Sequence, residues 1–177
     1  MGRIFFTALI AIFLVVSSAA AGPAPAFELK DLDGNLVKLE DQKGRVVLVS
    51  FWTTYCQPCR KELPKLNEIY GELKDKGLVF FSISSDKAAD SAQVSKFVKQ
   101  FRYTFPVLLD VDSAVVEKYH PERTPPFTAL IDHEGNLRHT HRGYKPGDEV
   151  RVREELLALL EELPENQAAG VGEGCSK

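Results

Sequence analysis

Apolar residues along this chain cluster in short runs whose period changes from one segment to the next. Residues 45–52 contain the uninterrupted stretch Val46-Val47-Leu48-Val49, and residues 78–84 are nearly as apolar. Runs of this kind suit strands buried on both faces, in the middle of an α/β sheet. Between them, from Pro58 to about Lys76, Leu63, Leu66, Ile69, Tyr70 and Leu73 recur at helical spacing, and Gly77 supplies the stop. Residues 27–32 and 36–39 flank Asp33-Gly34-Asn35 and predict an opening hairpin. A second helix is expected over 91–101, a short strand over 107–109 and a brief helix over 113–119. Residues 127–131 and 137–142, joined by a turn at 132–136, predict a closing hairpin. Asp148 is expected to cap a last helix carrying Leu156, Leu159, Leu160 and Leu163. This order predicts an α/β fold with a mixed central sheet, parallel in its core and antiparallel at one edge hairpin, with helices on both faces.

The two ends depart from this pattern. Arg3 precedes an uncharged apolar run of 13 residues, Ile4 to Val16, followed by Ser17, Ser18 and three alanines. The run is shorter than the ~20 residues a membrane-crossing helix needs. Residues 1–21 are therefore expected to be a secretory signal peptide, cleaved near Ala21, or else an uncleaved anchor. Either outcome places the domain in the periplasm or otherwise outside the cytoplasm. Residues 22–26 read as a spacer, 27–163 as one folded unit and 164–177 as a disordered tail that carries Cys175, an incidental free thiol. The chain has 177 residues and a formal charge of −3, with acids and bases interleaved. Such a length suits one domain, and no basic stripe is available to follow nucleic acid.

The chemistry gathers at Cys56-Gln57-Pro58-Cys59, where a buried strand hands over to a helix. At a helix amino terminus, unpaired N–H groups and the positive end of the dipole stabilise a Cys56 thiolate, the attacking species. Cys59, one turn further in, is spaced to close a disulfide with Cys56 and release a bound partner. Pro58 suits the first turn, which has no use for its missing N–H. A static disulfide and half of a zinc site are the alternatives. Zinc lacks two further soft ligands, and so short a loop would stabilise the fold little. No cofactor beyond the redox-active cysteine pair is called for, and no metal ligand set is assigned. His139 and His141 alternate along one strand face, an arrangement more often structural than metal-binding.

Residues 51–64, Phe-Trp-Thr-Thr-Tyr-Cys-Gln-Pro-Cys-Arg-Lys-Glu-Leu-Pro, resemble the active-site segment of thioredoxins, specifically of the TlpA/ResA branch. Pro64 stands where thioredoxins kink their first helix, and residues 124–132 resemble the cis-proline strand. The resemblance covers residues 27–163 and implies the thioredoxin fold. It also implies that the Pro125-Pro126 bond is cis, lies against the cysteines, helps hold a client peptide and keeps metal away. Pro125 departs from the family, which usually has a residue with a free N–H there, so client binding is expected to be weaker or differently oriented. Ser50 stands where thioredoxin itself has a buried acid. In ResA-like proteins the glutamate matching Glu62 sits beside the cysteines and influences their protonation; a solvated surface carboxylate is the alternative.

Trp52, Pro125, Pro126 and Phe127 are expected to form the client surface, although plain core packing would equally suit Trp52. Arg60 and Lys61 are expected to be solvated charges. The resemblance further implies a monomeric reductant of client protein disulfides, supplied with electrons by a membrane thiol donor. Clients would be apocytochrome c or metal-site cysteines; the Gly-Ala-Pro-Glu pattern of enteric cytochrome-maturation members is absent around Pro126. Two rivals share the fold class. A peroxiredoxin-type peroxidase would use Cys56 in Thr53-Thr54-Tyr55-Cys56, but Val49 stands where its proline is expected. A Sco-like copper chaperone would have one more residue between its cysteines.

Overall fold

The computed structural model describes residues 22–164. Its eight strands are β1 (Gly22–Pro23), β2 (Glu28–Asp31), β3 (Leu36–Lys38), β4 (Val46–Trp52), β5 (Leu78–Ser84), β6 (Val107–Leu109), β7 (Phe127–Ile131) and β8 (Asn136–Arg142). The helices are α1 (Gln57–Leu73), α2 (Ser91–Phe101), α3 (Ala114–Tyr119) and α4 (Asp148–Glu161). One mixed sheet runs in the order β1-β8-β7-β4-β5-β6-β2-β3. Only β4, β5 and β6 are parallel to one another; every other pairing is antiparallel.

The continuous apolar run of β4 is explained by burial on both sides. Val46, Leu48 and Trp52 face the layer of α1, α2 and α4, where Leu63, Leu66, Phe97 and Leu156 complete one core. Val47, Val49 and Phe51 face the opposite layer with Val115, Val116 and Tyr119 of α3. All seven residues of β4 and of β5 are buried, so neither strand shows an alternation of apolar and polar positions. Gly77 ends the helical stretch at φ 101°, a conformation open to glycine.

Three expectations need correction. The sheet is antiparallel at both flanks, because the opening hairpin of β2 and β3 attaches to β6 through Lys30↔Leu109 and Asp31↔Leu108. Residues 22–26 are no mere spacer: Gly22 and Pro23 pair with Leu137 and Asn136, and the Ala24 N–H donates to the Gly135 carbonyl at 3.0 Å. Backbone groups carry that pairing, and they covered an open strand edge without any side-chain pattern to announce it. Asp148 does not cap α4, whose N-cap is Gly147; the Asp148 carboxylate instead accepts the Lys145 N–H at 2.8 Å and closes the preceding turn. The signal or anchor segment 1–21, the tail from 165 onward and Cys175 lie outside the described residues.

Candidate active site

Strand β4 ends at Trp52, and four residues later Cys56 is the N-cap of α1. Its extended backbone lets its sulfur turn back over the first turn, where it accepts the Cys59 N–H at 3.2 Å. The Cys56 N–H in turn donates to the Thr53 carbonyl at 3.2 Å. The two cysteines form a disulfide, with Cα atoms 5.3 Å apart. Cys56 is 8% exposed and Cys59 fully buried, so an incoming disulfide reaches Cys56 first. Gln57 and Pro58 are exposed beside them.

Glu62 follows one turn after Cys59 and points inward, with 3% of its surface exposed. It sits against a row of hydroxyls made by strand register: Ser50 of β4 lies opposite Thr128 of β7 on one side and Ser82 of β5 on the other. Residues directly opposite in adjacent strands share a face, so all three hydroxyls belong to the α1 side of the sheet. The Thr128 hydroxyl donates to Glu62 Oε1 at 3.1 Å, while Oε2 makes no hydrogen bond of good geometry. Burial without a cation raises the Glu62 carboxyl to about 7, with the pull of Thr128, and more weakly of Ser50, in the opposite direction. The surface-charge alternative for Glu62 is thereby removed.

The expected client surface is largely core. Trp52 is fully buried, its indole packed on Phe97 with ring centres 5.3 Å apart. Phe127 is 1% exposed, stacked on His120 at 4.8 Å and packed on Phe51. Both lie within sheet-covering layers, where an aromatic side chain is better packed than displayed. Pro126 is buried as well, Pro125 is half-buried, and the bond between them is cis. Beside the cysteines, the aromatic that faces solvent is Tyr55, 74% exposed and adjacent to Cys56.

Arg60 and Lys61 are exposed, as expected of surface charges, but Arg60 is also engaged. Its guanidinium donates twice to the Thr54 carbonyl, at 3.0 and 2.8 Å, and lies over the Phe97 ring. His139 and His141 do share a face, but both turn to Glu155 of α4, at 3.7 and 2.7 Å. Arg151 lies 2.7 Å from His141 Nδ1. A guanidinium can only donate, so Nδ1 accepts and Nε2 carries the proton given to Glu155. Among the described residues, no group of three or more His, Cys, Asp or Glu is arranged to hold a metal. The sequence pattern did not single out Tyr55, Thr128 or Asp86, whose carboxylate accepts the Thr54 N–H at 2.9 Å. An aromatic next to the first cysteine was a visible signal for Tyr55; the others depend on strand register.

Comparison with known proteins agrees with this geometry. The profile of the AhpC/TSA family matches residues 20–140. The chain is similar to the thiol-disulfide oxidoreductase ResA of Bacillus cereus, 37% identical over 114 residues, which is 64% of each protein. It is similar also to ResA of Halalkalibacterium halodurans, 32% identical over 145 residues, or 81% of this chain and 79% of that protein. Among solved structures, a Chlorobium tepidum protein described as a candidate thiol:disulfide interchange protein DsbE superposes with a TM-score of 0.73 at 30% identity. The match covers 81% of this chain and 99% of that one. The thioredoxin domain of a thiol-disulfide oxidoreductase from Bacteroides vulgatus superposes at 0.65 with 33% identity, over 79% and 99% of the two chains.

Proposed function

Because the chain belongs to the AhpC/TSA family, and within the thioredoxin superfamily to the ResA-like thiol-disulfide oxidoreductases, we propose that it reduces the disulfides of client proteins outside the cytoplasm. The observation that carries this reading is a Cys56–Cys59 disulfide at the head of α1, with one sulfur reachable and a buried carboxyl one turn beyond. In the reduced chain the Cys56 thiolate attacks a client disulfide. A Cys56–client bond forms, the client S–S bond breaks, and one client thiolate leaves. Cys59 then gives up its proton, with Glu62 as the acceptor, and its sulfur attacks Cys56. The intramolecular disulfide forms and the second client thiolate departs. Two electrons pass to the client in all, and its two thiolates take up the proton left on Glu62 and one from water. A membrane thiol donor restores the dithiol, and the chain works as a monomer. The extracytoplasmic location rests on the signal-like residues 1–21, and the clients expected are apocytochrome c or metal-site cysteines.

The AhpC/TSA match also admits a peroxidase, in which Cys56 would attack a peroxide. The closed two-residue loop and Val49 in place of the expected proline favour disulfide exchange. The purified chain is expected to accelerate insulin reduction by dithiothreitol, followed as B-chain turbidity, and to leave hydrogen peroxide unconsumed. Peroxide turnover without insulin reduction would reverse the assignment.

Tyr55 takes over the client-facing role from Trp52 and Phe127 in this scheme. Truncating an exposed aromatic at a contact surface costs about 1–2 kcal/mol, so Tyr55→Ala should lower kcat/KM for insulin about tenfold. Turnover of a small aromatic disulfide, which needs no docking surface, should stay unchanged. An equal fall with both substrates would place Tyr55 in the chemistry rather than in docking.

A further inference from the structure

Beyond the ends of β4 and β5, a side chain continues the ladder. The Ser85 N–H donates to the Trp52 carbonyl at 2.9 Å as the last backbone rung. Next to it, the Thr54 N–H donates to Asp86 Oδ2 at 2.9 Å and the Thr54 hydroxyl to Oδ1 at 2.6 Å. The Asp86 carboxyl is buried, 4% exposed, and also accepts the Ser84 hydroxyl at 2.8 Å. From the other side Arg60 grips the Thr54 carbonyl. The N–H, hydroxyl and carbonyl of Thr54 are thus all engaged, two residues before Cys56.

We propose that Asp86 is a positioning residue which, through Thr54, holds the Cys56 sulfur at the head of α1 once the disulfide opens. The proposal rests on the exchange chemistry above. In the oxidised chain the S–S bond itself keeps Cys56 beside Cys59. Reduction removes that tie, and the segment 53–55 becomes what fixes Cys56 over the first-turn N–H groups. A carboxylate suits the task because it accepts an N–H and two O–H groups together and competes for none of them as a donor. A sulfur free to drift from the helix start loses the N–H groups and dipole that stabilise its thiolate, so loosening the clamp raises its pKa.

Thr54→Val keeps the shape and charge of the site while removing the hydroxyl bond to Asp86. In the reduced full-length chain, the pH midpoint of Cys56 alkylation by iodoacetamide, read on the Cys56 peptide by mass spectrometry, should rise by about half a unit. That is about a threefold loss of thiolate below the midpoint. Thr54→Ser should restore the wild-type midpoint. Because removing the Asp86 charge acts on the thiolate directly, Asp86 is tested by coupling: with Asp86→Ala already present, which leaves the Thr54 hydroxyl no carboxylate to bond, Thr54→Val should add no further shift. An unmoved midpoint in Thr54→Val, with or without a lower melting temperature, would overturn the proposal. So would the same shift in both backgrounds. A wild-type chain whose Cys56 shows no titration at all would defeat the exchange chemistry together with it.

Discussion

Cys56→Ser should bring insulin reduction down to the rate without protein, whereas Cys59→Ser should accumulate a covalent chain–client adduct that dithiothreitol releases. The asymmetry follows from geometry. Cys56 is the N-cap of α1 and the less buried member of the pair, so in the proposed exchange it is the sulfur that meets a client and whose thiolate the helix start stabilises. A serine hydroxyl is not ionised at neutral pH and cannot replace it. Cys59 is fully buried, which in the proposed exchange confines it to attack on the mixed disulfide from within. Without it the first exchange still runs, but the intermediate has no internal way out. Non-reducing gels and intact mass of the variants with a labelled client decide the matter. Insulin turnover surviving in Cys56→Ser would transfer the attack to Cys59 and undo the assignment of roles.

Glu62→Gln should flatten the pH dependence of stability across the weakly acidic range. The Glu62 carboxyl is raised from 4.5 to about 7 in the folded chain, chiefly by burial. Below about pH 4.5 it is protonated both folded and unfolded, and no difference arises. As the pH climbs from there to 7, the unfolded chain releases this proton while the folded chain keeps it, so folded stability declines. The decline amounts to about 3 kcal/mol and stays constant above pH 7. Glutamine has no proton to lose. The gap between variant and wild type, near zero at pH 4, should therefore widen to about 3 kcal/mol at pH 8, a shift in Tm of about 10 °C for a domain of this size. Other titrating groups cancel in the difference between the two chains. Thermal melts at half-unit intervals of pH give the result, and a gap that does not vary with pH would show that folding leaves the proton affinity of this carboxyl unchanged.

The two outcomes draw on features with very different legibility. The cysteine pair could be read directly, since a spacing of two residues, a proline at the first turn and a preceding apolar run are all local to residues 46–60. Most element boundaries were legible for the same reason, hydrophobic period being a property of neighbouring residues. Trp52 and Phe127 show where such reading stops. An aromatic beside a reactive cysteine or a cis-proline looks the same in a string of letters whether it lines a groove or fills a core. Here both fill the core, against Phe97 on one side of the sheet and Phe51 and His120 on the other. The edge pairing of β1 was silent for another reason, being made by the backbone, which every residue type possesses.

What the sequence determined by itself is the reagent: two thiols one turn apart at the head of a helix, whose chemistry depends on atoms within a few bonds and a few residues. Tertiary structure alone decided how that reagent is governed. Glu62 is a buried acid because β4 and β7 bring Ser50 opposite Thr128 beneath it, and Cys56 is backed by Asp86, which lies 32 residues from its partner Thr54. Desolvation and hydrogen bonding act through space, so a carboxyl acquires its proton affinity only when distant segments have closed around it.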